Sequence, residues 1–417
     1  MAIVRPFKGV RYNLEKVLLK QVIAPPYDVI SNEYRANLVN RSAYNVVNID
    51  LPIGEDRYVH AAQLYQSWLQ DKVLIKEQTP SLYMYEQEYE YGGKSYIRTG
   101  FIGLLHLEDF GKGTVFPHEK TLAGPKKDRY DLMLECKANF SQIFGLYLDP
   151  TSQLNPIFDD CHEGMPIASA MDDDKVKHTI WPINDPESVN AIQNFMKDKA
   201  IYIADGHHRY ETALMYRDTM RKKNNDDPAE AKPYDYVMMM FVNFYDPGLM
   251  VFPTHRAVDI PADFDMAGFK AKLSQTFSIT PLAGLDAIDS FLAEHKDPGT
   301  IAMVTQDGIF GLLINQELLE SLHPVYRNID TYLLQKNIME SYLGIPEEQI
   351  LAKKGIHFYQ QPNEVKDFVD ANSGIGFILK SVDVDTIRKV SESGLVMPQK
   401  STYFYPKLAT GLLINDI

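Results

Sequence analysis

Two hydrophobic periods run through this chain, one of about two residues and one of three to four, and together they predict an α/β protein with mixed sheets. Residues 82–91 and 96–105 are strand-like arms on either side of Gly92-Gly93, a pair suited to the positive φ of a tight hairpin. Tyr83, Tyr85, Tyr89 and Tyr91 share one face of the first arm. Ala61, Leu64, Tyr65 and Trp68 recur at helical spacing and predict a helix over 58–71. A strand is expected over 44–49, and a stiff turn over 24–30, where Pro25-Pro26 precede Tyr27-Asp28.

Residues 150–190, rich in Pro, Asp, Asn and Ser, are expected to form a connection with short elements. Beyond them the pattern predicts a helix ending near Asp198, a strand over 200–204, a helix over 207–223 and a polar loop over 222–233. A core strand over 236–244 follows, in which Met238-Met239-Met240 are core residues and not metal ligands. A short strand over 249–252 leads to a turn at Pro253-Thr254-His255-Arg256. Asp307-Gly308 predicts a second hairpin between 301–305 and 309–314. A helix over 329–343 stopped by Gly344, a strand over 375–379 and a helix over 384–393 complete the pattern. The expected division is an N-terminal α/β region over 1–150, a middle region over 151–260 and a C-terminal α/β region over 261–417.

The most informative segment is Ala204-Asp205-Gly206-His207-His208-Arg209-Tyr210. It joins the predicted strand to the predicted helix. Helix-start amides lie outside the helical ladder and carry the positive end of the dipole, so they attract phosphate. Gly206 allows close backbone approach, and Arg209 adds a planar fork of donors. His207 and His208 are candidates for proton transfer, and Asp205 for a catalytic carboxylate or a plain N-cap. A zinc site is disfavoured, because adjacent helical residues point about 100° apart and a metal pair needs i, i+4 spacing. His207 has Glu211 at that spacing, a single carboxylate–histidine pair.

Two further segments collect cations. In 117–129, Lys120, Lys126, Lys127 and Arg129 are expected on one loop that gathers phosphate charge, with His118 or Glu119 as acid or base. His118-Glu119 starts like His-Glu-x-x-His, but Leu122 stands where the second histidine belongs. In 397–407, Lys400 and Lys407 accompany hydroxyls and no acid, as expected of a segment closing over an anion or of an aromatic edge strand.

The formal charge is −14 over 417 residues, which argues against broad nucleic-acid binding but leaves room for a local basic pocket. Two cysteines, Cys136 and Cys161, make no disulfide framework, so a reducing cytoplasm is the expected compartment. Residues 1–13 carry Arg5, Lys8 and Arg11 without an apolar run, so no leader is expected, and no stretch approaches a membrane span. Neither a P-loop, nor a Gly-x-Gly-x-x-Gly after a strand, nor a Gly-x-Ser-x-Gly elbow occurs.

Arg5-Pro6-Phe7, Ala24-Pro25-Pro26-Tyr27-Asp28-Val29, His118-Glu119, Asp205-Gly206-His207-His208-Arg209-Tyr210 and Met397-Pro398 with Lys400-Ser401-Thr402-Tyr403-Phe404-Tyr405-Pro406-Lys407 resemble the family called domain of unknown function 1015 over nearly the whole chain. The Asp-Gly-His-His-Arg core is also similar to the phosphate-binding motif of the ParB/sulfiredoxin-like superfamily, which includes partition proteins, sulfiredoxin and free serine kinases. That likeness implies a strand–turn–helix unit in which Gly206, His207, His208 and Arg209 hold nucleotide phosphates. Sulfiredoxin has a catalytic cysteine just before its His-Arg, where this chain has His207, so sulfinic-acid reduction is not implied. The kinases use an acidic base, for which Glu119, Asp28 and Asp205 are candidates here. The implied function is a phosphotransferase on a small metabolite such as serine, using ATP or ADP with Mg²⁺. Alternatives are a phosphatase acting on a small phosphomonoester such as phosphoserine, and a nucleotide-binding regulator related to ParB. The expected partner is a small phosphorylated ligand.

Overall fold

Tyr236–Asn243 is a strand buried along its whole length, as its unbroken apolar run requires of the middle of a sheet. The computed structural model describes residues 1–417 except Leu122 and Pro228, and only the backbone of Ala123. Leu122, which breaks the zinc-like motif, and Pro228, within the predicted polar loop, thus lie outside the described residues. The chain forms two units: one of Met1–Pro117, Thr121–Leu249 and Pro406–Ile417, the other of His118–Lys120 and Met250–Tyr405.

The first unit is built on a nine-stranded mixed sheet. Tyr236–Asn243 pairs in parallel with Ile143–Tyr147 and antiparallel with Lys94–His106. Lys94–His106 forms the expected hairpin with Leu82–Tyr91, and Gly92 and Gly93 take φ 58° and 73° at its tip. Ile201–Asp205 lies antiparallel to Ile143–Tyr147, with the register shifting between Ile203 and Asp205. Helices Arg57–Gln70, Ala123–Cys136, Pro186–Met196 and His207–Asn224 belong to this unit. Its core joins Ile201, Ile203, Met239 and Phe241 of the sheet to Ile192, Tyr210 and Ala213 of the helices.

The second unit has a six-stranded antiparallel sheet in the order Phe277–Leu282, Gly308–Ile314, Thr300–Thr305, Gly374–Ile378, His255–Asp259, Ile356–Tyr359. The Asp307-Gly308 hairpin is present, with Thr305 opposite Gly308. The α/β class with mixed sheets is thus the observed one. No described helix is long and apolar enough to cross a membrane.

Five local expectations are corrected. Residues 44–49 do not form a strand: Val47–Asp50 is a short helix. Asn45 starts it, donating to Gln21 O and Ile23 O while its Oδ1 accepts from Val47 N, so side-chain bonds replace a ladder. The expected basic loop is largely the helix Ala123–Cys136, because Pro125 sits in its first turn, where a missing N–H is harmless. His255 and Arg256 lie in a strand, not a turn, and both are buried. Lys177–Ile183, inside the supposed connection, is a seven-residue strand paired with Leu82–Tyr91. The helix stopped before Gly344 is α-helical only over Asp330–Leu333 and continues as a π-helix over Leu334–Glu340.

Candidate functional site

The site grows from the end of strand Ile201–Asp205. Its register shift next to Asp205 is a local irregularity of the kind that re-aims a side chain at a strand end. Gly206 follows with φ 94° and ψ 27°, a left-handed conformation that favours glycine. A Cβ here would also lie 3.0 Å from Nε and Nη2 of Arg209, so the guanidinium lies against the bare Cα. The helical ladder begins with Tyr210 N donating to Gly206 O at 3.0 Å. The earlier amides of this turn therefore precede the ladder, as at any helix start.

Two cations flank Asp205. Arg209 Nη2 is 3.6 Å, and Lys407 Nζ 3.5 Å, from Asp205 Oδ2. Arg209 Nη1 also donates to Gln142 O. Lys407 is only 15% exposed and is fixed from behind. His178, Gln87 and Arg98 are opposite one another on three neighbouring strands, and all are fully buried. Gln87 Nε2 donates to Lys407 O at 2.9 Å, and Arg98 donates to Gln87 Oε1 and Pro406 O. His178 joins Tyr85 OH at 2.7 Å and Asp172 at 2.9 Å, and Tyr85 OH accepts from Ala409 N. This polar row, which the sequence reading missed, holds residues 406–409. It had no clear signal in the sequence, because Gln87 stands among Glu86, Glu88 and Glu90, and Arg98 follows Lys94 and Ser95 in its strand.

Below Arg209 is a cleft of about 400 Å³, lined by Asp50, Arg129, Ser141, Arg209 and Thr212 among others. Arg129 is buried, bound to Asp50 O, Asp50 Oδ1 and Asp128, and lies 4.1 Å over the Tyr27 ring. Burial raises the Asp50 carboxyl above its usual pKa, while Arg129 and Arg209 oppose the shift. Gln142 Oε1 is a buried acceptor without a hydrogen-bond partner among the described residues. Asp50 was missed because its stretch was read as a strand.

The other predicted residues fall as follows. His207 is buried, and desolvation lowers its pKa to about 3, so it is neutral near pH 7 and ill suited to shuttling protons there. His208 is half-buried in the first turn. Glu211 accepts from Lys126 at 2.7 Å and from Thr121. Lys127 is exposed and pairs with Asp131. Lys126, Lys127 and Arg129 thus occupy separate ion pairs. Glu119, Lys120 and Lys400 belong to the second unit, where Glu119 accepts from Lys400 N at 3.1 Å and Lys120 is 3.6 Å from Glu347. Among the described residues no group of three His, Cys, Asp or Glu could hold a metal ion.

Two predictions arise here. His207 has a folded pKa below the ordinary 6.5, so its stabilising contribution is complete above about pH 6.5 and is lost as pH falls towards about 3. His207→Asn is expected to remove a slope on the order of 1 kcal/mol per pH unit over that interval, as seen in urea midpoints against pH. Gln87→Leu takes one acceptor from Arg98, which keeps Pro406 O, and the side-chain donor from Lys407 O, and is expected to lower stability by about 1–3 kcal/mol. It is also expected to weaken anion binding as much as Lys407→Met does, with no further loss in the double variant; additive losses would contradict the holding role.

Solved structures that the chain is similar to include a conserved hypothetical protein from Pyrococcus furiosus, at 12% identity and TM-score 0.36 over 73% of this chain and 91% of that one. Free serine kinase in complex with AMP is similar at 10% identity and TM-score 0.38, covering 73% and 88%, and a variant of it is known in complex with ADP. SbnI with a C-terminal truncation, from Staphylococcus aureus, is similar at 10% identity and TM-score 0.34, covering 75% and 86%. No curated protein matches the chain. A family model described as "Protein of unknown function (DUF1015)" matches residues 4–332, most of the sequence, and the chain belongs to that family.

Proposed function

We propose that this protein transfers a phosphoryl group from a nucleotide to the hydroxyl of a small metabolite, serine or a close relative. One observation carries the reading: a strand ends in a left-handed glycine, a helix starts there, and two cations, Arg209 and Lys407, stand within 4 Å of the carboxylate beside it. Phosphoryl transfer asks a protein mainly for positioning and charge, and this turn offers both. The helix-start amides and Arg209 hold the terminal phosphate, with Lys407 beside them. Asp50 is the carboxylate on the cleft wall with Arg209, and its raised pKa suits a proton acceptor. It takes the acceptor's hydroxyl proton as that oxygen bonds to phosphorus and the bond to the leaving nucleotide breaks.

Mg²⁺ commonly keeps several waters and binds through one or two carboxylates plus phosphates, and Asp205 is the carboxylate placed for that at the turn. The residues therefore fit an ion that arrives with the nucleotide, and that ion would neutralise phosphate charge. The test is ³¹P NMR of the protein with serine and ATP or ADP, with Mg²⁺. Phosphoserine formed only when nucleotide is present supports transfer. Phosphate released from phosphoserine alone would instead identify a phosphatase.

A further inference from the structure

The second unit has a cavity of about 740 Å³ with walls of two kinds. Tyr326, Tyr332, Ile350 and Met397 form an apolar side. The two tyrosine rings stack at 4.1 Å with only 5° between their planes, giving a rigid aromatic edge. At the polar side, two ammonium groups from distant parts of the sequence converge on one carboxylate. Lys120 Nζ is 3.6 Å from Glu347 Oε1 and Lys336 Nζ is 3.4 Å from Glu347 Oε2. Lys336 also pairs with Glu340 at 2.8 Å. The three cavity-lining charges are 59%, 34% and 45% exposed for Lys120, Lys336 and Glu347, so water reaches them all and their pairing is weak. Lys336 stands on the π-helix Leu334–Glu340, a widened turn that is rare and recurs at functional sites.

We propose that this cavity binds a small organic monocarboxylate with an aromatic or branched apolar body. Glu347 marks the chemistry: its carboxylate fills the place between the two lysines that a ligand carboxylate takes when Glu347 swings aside. The body of the ligand lies along the tyrosine edge and the aliphatic wall, where apolar surface leaves water. Neither the Gly206 turn nor the transfer reaction enters this reading.

The probe is 3-phenylpropanoate, titrated calorimetrically into the full chain, beside its neutral amide and 2-phenylethylamine. The acid is expected to bind, and the amide and amine to bind at least about tenfold more weakly. Glu347→Gln removes the competing anion and is expected to tighten the acid by about threefold, a gain that a merely structural carboxylate would not give. Lys336→Met is expected to weaken it by about fivefold. No heat with the acid, equal binding of acid and amide, or weaker binding in Glu347→Gln would each overturn the proposal.

Discussion

Arg209→Ala is expected to abolish the rise in melting temperature that the proposed function predicts for the wild-type protein with ATP or ADP. Arg209 lies against Gly206, stands beside Asp205 and lines the cleft with Asp50, so it is the one side chain common to the turn and the cavity. A charge-assisted hydrogen bond contributes about 1.5–3 kcal/mol, and losing one or more lowers nucleotide affinity by at least about tenfold to a hundredfold. At moderate nucleotide concentration such a loss erases the shift, because ligand stabilisation depends on concentration relative to Kd. The variant also leaves Gln142 O without its guanidinium, so a fall of about 1–3 kcal/mol in intrinsic stability is expected and is measured separately in urea. Arg209→Lys keeps the charge but not the fork and is expected to recover part of the shift. A full shift in Arg209→Ala would show that nucleotide, if bound, is held elsewhere.

The second large effect is on stability. Arg129→Met leaves Asp50 buried without its cation and removes the guanidinium over Tyr27. Breaking one side of a buried pair costs about 3–5 kcal/mol, far more than the pair adds over an apolar substitute. The urea midpoint is expected to fall accordingly. Adding Asp50→Asn to the same chain removes the stranded charge and is expected to restore part of the loss. The pH dependence has a definite sign. With the arginine gone, the folded Asp50 pKa rises further above its unfolded value, so the penalty is full above the folded pKa and fades as pH falls towards the unfolded one. The gap between wild type and Arg129→Met should therefore narrow on acidification. A gap that is constant or widens would mean that the lost contacts were chiefly packing.

Much of the framework was legible because local signals agreed with the fold. Gly92-Gly93 and Asp307-Gly308 set hairpins by backbone conformation alone. The apolar run ending in Asp205-Gly206 before a helix placed the turn to within a residue. The failures share a cause, since in each a nonlocal or side-chain interaction decided the outcome. Asn45 reaches back to Gln21 and Ile23 and turns an apparent strand into a helix that delivers Asp50 to the cleft. Lys126, Lys127 and Arg129 look like one basic patch in sequence, yet helical geometry sends each to a different carboxylate. Lys407 lies about two hundred residues beyond Asp205, and the row formed by His178, Gln87 and Arg98 helps to hold its segment there. No reading of spacing along the chain contains that row.

The central claim is that the backbone around Gly206 cradles a phosphate. The most direct measurement is the ¹⁵N–¹H shift of its amides on adding ADP. The account predicts that the largest changes fall on Gly206, His207, His208 and Arg209, and that they shrink in Arg209→Ala. Saturable shifts confined to other residues, with those four amides unmoved, would contradict it.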